Sequence, residues 1–246
     1  MLNYLAEIYS NDTVLVKQNK KNYMKRRFLN NSWKAVKLGL ASATLALFTL
    51  TVQAQEQAQH NNPNVRLGQK ALLEGDFKAA AFHLQKALPS EANDPDVQYL
   101  LGYSQFHNGD YNKAIETFRK VIALDAKHTS AYYYKGKASS NLAVASDSKL
   151  DLSAKEQLLK TAIEDYSKAL TITPNDAKLY QNRAVTYRDL GILTGTSGAT
   201  NYNKQKATDA YNKAVADYEK VLSYDASRKD IQTEVKKAKV YRDNLK

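Results

Sequence analysis

The chain has 246 residues, 36 Lys and Arg against 25 Asp and Glu, and no cysteine, which excludes disulfides, thiol catalysis and a lipid-modified cysteine. Its formal net charge of +11 is uneven: 8 of the basic and 2 of the acidic residues precede Gln55, leaving +6 there and +5 for the remainder. That +5 is scattered, with no basic run longer than Lys236-Lys237 and no nucleic-acid motif, so nucleic acid is not expected as a partner.

Residues 1–23 are polar and without clear period. From Met24 a basic region (Lys25, Arg26, Arg27, Lys34, Lys37) leads into an apolar core, Leu38 to Val52, and a small-x-small exit at Val52-Gln53-Ala54. These are the marks of a secretory signal peptide. We therefore read residues 1–54 as a leader cut after Ala54, with Met24 as the expected true start. The core falls short of the roughly 20 apolar residues a membrane span needs. No stable span is expected after cleavage, and the product is expected in the periplasm or outside the cell. The absence of an Asn-x-Ser/Thr sequon after Ala54 fits a bacterial source. Residues 55–60 are a Gln/Asn-rich linker.

From Asn61 the chain repeats itself. The small residues Gly68, Gly102, Gly136 and Ala184 are spaced by 34, 34 and 48, and Ala80, Ala114, Ala162 and Ala214 by 34, 48 and 52. Four units thus cover 61–228. The third carries 14 extra residues and the fourth 18, both between the two markers. Each unit reads as two amphipathic helices: Tyr99, Leu100, Tyr103 and Phe106, then a break at Asn108-Gly109, then Ala114, Ile115, Phe118, Val121 and Ile122. The bulky residue four places after each alanine (Leu84, Phe118, Tyr166, Tyr218) is expected to fill the gap beside the small ones. One such hairpin cannot bury its own apolar faces, so the units must stack. The insertions are close to four and five helical turns, which predicts lengthened helices, with Ser153 and Glu156 as a capping box and Gly191 to Thr200 as a true loop. The stripe Ile231, Val235, Ala238, Tyr241 and Leu245 on a charged background marks 229–246 as a capping helix.

The order Leu101-Gly102, Ala114, Phe118, and again Ala162, Tyr166, Ala169, Pro174, resembles the tetratricopeptide repeat. Val121 and Val221 stand where the family has a small residue, and only Pro174 holds the closing proline. The resemblance implies an all-α, right-handed solenoid whose first helices line a concave groove. Placed by register, that groove would present Tyr99, Tyr103 and Phe106, then Tyr133, Lys137 and Asn141, then Gln181, Val185 and Arg188. Unit one would add Val65, Gln69 and Leu72. An aromatic middle flanked by Lys137 and Arg188 suits an extended peptide. The same rings suit packing between helices equally well. The Lys/Asn carboxylate clamp of some family members is not expected, because Val65 and Gln69 hold those places.

Nothing in the sequence points to catalysis, and no cofactor is expected. The four histidines, His60, His83, His107 and His128, are not spaced as metal ligands within one helix, and we read them as surface or packing residues. The acidic pairs Glu164-Asp165 and Asp217 with Glu219 read as solvated helix faces. The functional expectation is an exported adaptor of the bacterial envelope that binds a protein or peptide. A glycan-binding module and an accessory subunit of an envelope polymer-processing machine are the alternatives.

Overall fold

The structure, a computed structural model, describes residues 60–146 and 149–246. The leader, its cut after Ala54, the start at Met24 and linker residues 55–59 lie outside the described residues. Those residues form nine helices in antiparallel succession. Unit one is α1 (Pro63–Glu74) and α2 (Phe77–Glu91); unit two is α3 (Pro95–His107) and α4 (Tyr111–Leu124). Unit three is α5 (Thr129–Val144) and α6 (Leu152–Ile172), and unit four is α7 (Ala177–Gly195) and α8 (Lys204–Tyr224). The last helix, α9 (Lys229–Asp243), packs on α8.

Helix starts are set by side-chain caps. Asn62, Asp76, Asp94, His128, Asp151, Asp176 and Asn203 each accept a backbone N–H of the helix that follows. Between the two helices of the regular units the chain reverses at Gly75 and Gly109, with φ of 78° and 87°, which only glycine adopts without strain. The capping-box expectation is corrected here. Asp151 caps α6 through Ala154 N at 2.7 Å, Ser153 lies inside the helix, and Glu156 faces Lys160 and Lys206 instead.

The glycine-rich stretch from Gly191 is likewise not a loop throughout. Helix α7 runs on to Gly195, and the connection is 196–203, with Gly198 at φ 83°. Gly191 and Gly195 serve close approach rather than turning. A Cβ on Gly191 would lie 2.8 Å from the Tyr211 ring, and one on Gly195 2.7 Å from Leu245. Here the packing uses glycine's lack of bulk and not its conformational freedom.

The same contact recurs inside the units. A Cβ on Gly68 would meet Leu84 at 2.6 Å, and one on Gly102 would meet the Phe118 ring at 2.9 Å. Leu84, Phe118, Tyr166 and Tyr218 are each no more than 1% exposed. The extra residues of units three and four are helical: α6 and α8 have 21 residues each, against 15 and 14 for α2 and α4. The longer hairpins bury their own cluster of Ala143, Leu159, Leu190 and Ala210.

Odd-numbered helices touch their odd neighbours (α1 with α3, α3 with α5, α5 with α7), whereas no such contact of comparable size joins the even ones. The odd helices therefore lie on the inside of the curve. Gly102→Ala should cost about 1–3 kcal/mol by overpacking against a ring that cannot move. Urea denaturation checks this, and Gly102→Ala/Phe118→Leu should recover much of the loss.

Candidate functional site

The inner face of the stack carries the residues singled out by register. Tyr99, Tyr103 and Tyr134 are half-buried, and Phe106 and Tyr133 are buried. They form one ring cluster. Tyr99 lies 5.9 Å from Phe118 and 4.8 Å from His128; Tyr103 lies 5.2 Å from Tyr134 and 6.2 Å from Phe77. Phe106 meets Tyr134 at 5.3 Å and Tyr111 at 5.6 Å. Most of these contacts are tilted or edge-on, the arrangement ring quadrupoles favour. Phe106 thus belongs to the core, whereas Tyr99 and Tyr103 pack and still show an edge at the surface.

Beyond the rings the face turns cationic. Lys137 Nζ stands 5.9 Å from the Tyr133 ring centre and 6.0 Å from that of Phe106. Lys178 Nζ stands 4.4 Å above the same Tyr133 ring. Burial holds the Lys178 ammonium below the usual lysine range, against the opposing pull of Asp176. Lys178 opens the first helix of unit four, and neither it nor Tyr134 was anticipated. Asn141 is half-buried on α5. Gln181 accepts from Arg228 Nη2 at 3.3 Å.

Arg188 does not serve this face as an available cation. Its guanidinium donates to Asp189 at 2.9 Å and to Glu234 on α9 at 2.6 Å. Burial works against its charge, but Asp189 and Glu234 hold it firmly protonated. Arg188 therefore fastens the last helix to α7, and Lys178 takes the place that register had given it.

Two further pairs correct the reading of the acidic residues. Asp165 and Asp217 are 5% and 6% exposed, not solvated. Lys135 Nζ lies 2.6 Å and 2.8 Å from the two Asp165 oxygens, and Arg183 grips Asp217 with two bonds of 2.7 Å and 2.8 Å. Arg183 also donates to Ser167 on α6, tying units three and four together. The signal was in the sequence. Each cation stands one place before the small marker and each acid three places after the second marker, where unit two has Leu101 and Thr117.

On the opposite side the long hairpins enclose an open cleft of about 500 Å³ between α6, α7 and α8. Its floor is Ile163, Leu190 and Ala210, with Lys160, Lys206 and Lys213 among the polar residues around it. Glu156 is shared by Lys160 at 2.7 Å and Lys206 at 2.8 Å, and Glu164 and Asp209 add acid to the rim.

This geometry defines a helical-repeat scaffold with side chains gathered on an inner face. The profile of the family described as "Anaphase-promoting complex, cyclosome, subunit 3" matches residues 74–144. A DnaJ homolog subfamily C member 7 homolog of Dictyostelium discoideum is 23% identical over 205 residues, covering 75% of this chain and 38% of its own length. The chain thus spans about two fifths of that relative. Photosystem I assembly protein Ycf3 of Acaryochloris marina is 25% identical over 130 residues, covering 52% of this chain and 78% of its own length. The solved structure of the MamA RS-1 ArsTM double mutant superposes with a TM-score of 0.56 at 20% identity, over 76% of this chain and 89% of that one, a likeness of fold alone. The chain has the fold of a tetratricopeptide-repeat protein. Among the described residues no helix is long and apolar enough to cross a membrane.

Burial pushes the Asp165 carboxyl up to about 6, with Lys135 opposing. Its folded value lies above the ordinary 3.8, so the native chain binds the proton more tightly than the unfolded chain. This stabilisation is complete below about pH 4 and is lost as pH rises through about 6. Denaturation midpoints from pH 4 to 7 should show that slope, and Asp165→Asn should remove it.

Proposed function

We propose that this protein is a non-catalytic adaptor that binds an extended segment of a partner protein along its inner, odd-helix face. The observation that carries the reading is the pair of ammonium groups, Lys137 and Lys178, set over one buried tyrosine beside a band of half-exposed rings. Ring edges at Tyr99 and Tyr103 offer apolar contact. Lys137 and Lys178, with the amides of Asn141 and Gln181, offer polar contact to a main chain or a carboxylate. Repeat scaffolds of this kind recognise partners through such grafted sites. One relative is named for assembly, Photosystem I assembly protein Ycf3, which supports a role in partner binding.

The site of action in this reading is the bacterial envelope. Its support is the sequence of the leader: the basic region after Met24, the apolar core to Val52 and the small-x-small exit at Ala54. N-terminal sequencing of protein from a fractionated host should find Gln55 first in the envelope or medium. A product that still carries Tyr23 would overturn both the cut and the start at Met24.

The binding reading is tested by capture from envelope extract, using the wild-type chain beside Lys137→Glu/Lys178→Glu. Both lysines reach the surface, so the variant should keep its helical circular dichroism. The partner captured by the wild type should bind the variant at least about tenfold more weakly, the scale of a few lost polar contacts. Undiminished capture would move the site to the outer cleft at Lys160, Leu190 and Lys213.

A further inference from the structure

We propose that His60, Glu91 and Asp94 form a binding site for a borderline divalent metal ion, with Zn²⁺ as its representative. The three residues come from three separate places: the segment before α1, the last turn of α2 and the residue that caps α3. His60 Nε2 lies 3.9 Å from Glu91 Oε2 and 3.8 Å from Asp94 Oδ2, and the ligand atoms all fall within 4.8 Å of one another. A shift of well under 1 Å per ligand brings such atoms to the roughly 2.0–2.2 Å that Zn–N and Zn–O bonds require.

The carboxylates are already aimed. Glu91 Oε1 accepts from Asn62 Nδ2 at 3.2 Å and from Ser90 Oγ at 3.3 Å, which leaves Oε2 facing His60. Asp94 Oδ1 is occupied as the helix cap, accepting from Asp96 N and Val97 N at 2.8 Å and 3.1 Å, which leaves Oδ2 facing the same point. The segment that carries His60 is fixed by Arg66, whose Nη1 donates to the His60 and Asn61 carbonyls at 2.8 Å and 3.0 Å.

Charge argues the same way. Two carboxylate oxygens converge here, and the ion pairs found for them among the described residues are both with His60. A divalent ion neutralises both acids, whereas a single imidazolium matches one. One imidazole and two carboxylates form an N/O donor set of borderline character, suited to Zn²⁺ and its neighbours more than to Ca²⁺. Three protein ligands leave positions for water, so a metal here stays exchangeable.

Coordination has one local cost. Asn62 N donates to His60 Nδ1 at 3.1 Å, so Nε2 carries the proton in the metal-free chain. Metal at Nε2 moves the remaining ring proton to Nδ1, and the Asn62 N–H turns to water instead. For the neutral ring this is a change of tautomer with no proton released, and its cost is the lost Asn62 bond.

The sequence concealed this site because its donors stand 31 and 34 residues apart. His128 holds the equivalent place before α5, but its Nδ1 caps Ala131 N and its ring packs on Tyr99, which makes it a natural control.

Isothermal titration of the full chain with ZnCl₂ tests the proposal, alongside His60→Ala, Glu91→Gln, Asp94→Asn and His128→Ala. Asp94→Asn keeps the cap while removing the charge. One Zn²⁺ per chain is expected. Binding should weaken by more than about tenfold in each of the first three variants and stay unchanged in His128→Ala. With Co²⁺ as probe, a visible ligand-field band should appear in the wild type and vanish in His60→Ala. Circular dichroism shows that each variant is folded. No Zn²⁺ binding up to millimolar concentration, or equal binding by His60→Ala, overturns the proposal.

Discussion

Paired helices in this protein are held at the distance where a side chain shorter than most meets one larger than most. Gly68 faces Leu84, Gly102 faces Phe118 and Gly136 faces Tyr166, each at a spacing that leaves no room for a Cβ or almost none. In unit four, fully buried Ala184 and Tyr218 share one cluster. This contact fixes the register of each hairpin, and the register fixes which side chains face the next unit. It also explains where the chain tolerates growth. Extra residues lie between the small markers, at the far end of the hairpin, where both helices can lengthen together without disturbing the contact that sets their spacing.

Lengthening changed what fills the layers. In unit two the place before the small marker is Leu101, and Thr117 lies opposite, bonded to Gln105 at 2.7 Å. In units three and four the same places hold Lys135 with Asp165 and Arg183 with Asp217. Buried ion pairs add little net stability, but either partner left alone is costly. Only the native register satisfies both pairs, while an apolar substitute would tolerate a slip. The long helices, which have more ways to slide than the short ones, carry these pairs. Arg188 repeats the device between α7 and α9 through Glu234.

The repeat, its period, the position of the insertions and the last helix were legible because each is a pattern of side-chain size, and size survives in a one-dimensional reading. Three features differ from the sequence reading. Ser153 with Glu156 has the spacing of a capping box, but Asp151 stands two places earlier and takes the turn. Gly191 and Gly195 look like a flexible tip, yet they are contact points for Tyr211 and Leu245. Asp165 and Asp217 look solvated because their cations are 30 and 34 residues away. In the last two cases the deciding partner is distant in sequence. The inner face was legible as a set of positions but not as a division of labour. Register cannot say that Phe106 is core, that Arg188 is committed to Glu234, or that Lys178 reaches the ring of Tyr133.

The two ends of the stack are built on different physics. Each inner helix after the first packs its forward side on the preceding unit: Val97 and Leu101 in α3, Leu179 in α7, Ile231 and Ala238 in α9 are at most 2% exposed. The equivalent Leu67 of α1 is 46% exposed, because no described unit precedes it. Stability in a repeat array accumulates from neighbours, and a terminal unit has one neighbour in place of two. At the far end α9 answers this with a polar outer surface and the Arg188–Glu234 bridge. At the near end the answer is the short segment His60 to Asn62, held by Arg66 on one side and by Ser90 and Glu91 on the other. That segment joins the start of α1 to the end of α2, closing the hairpin that no described repeat precedes. A metal ion shared by His60, Glu91 and Asp94 would extend the closure to the start of α3 and bind unit one to unit two where stacking alone is weakest.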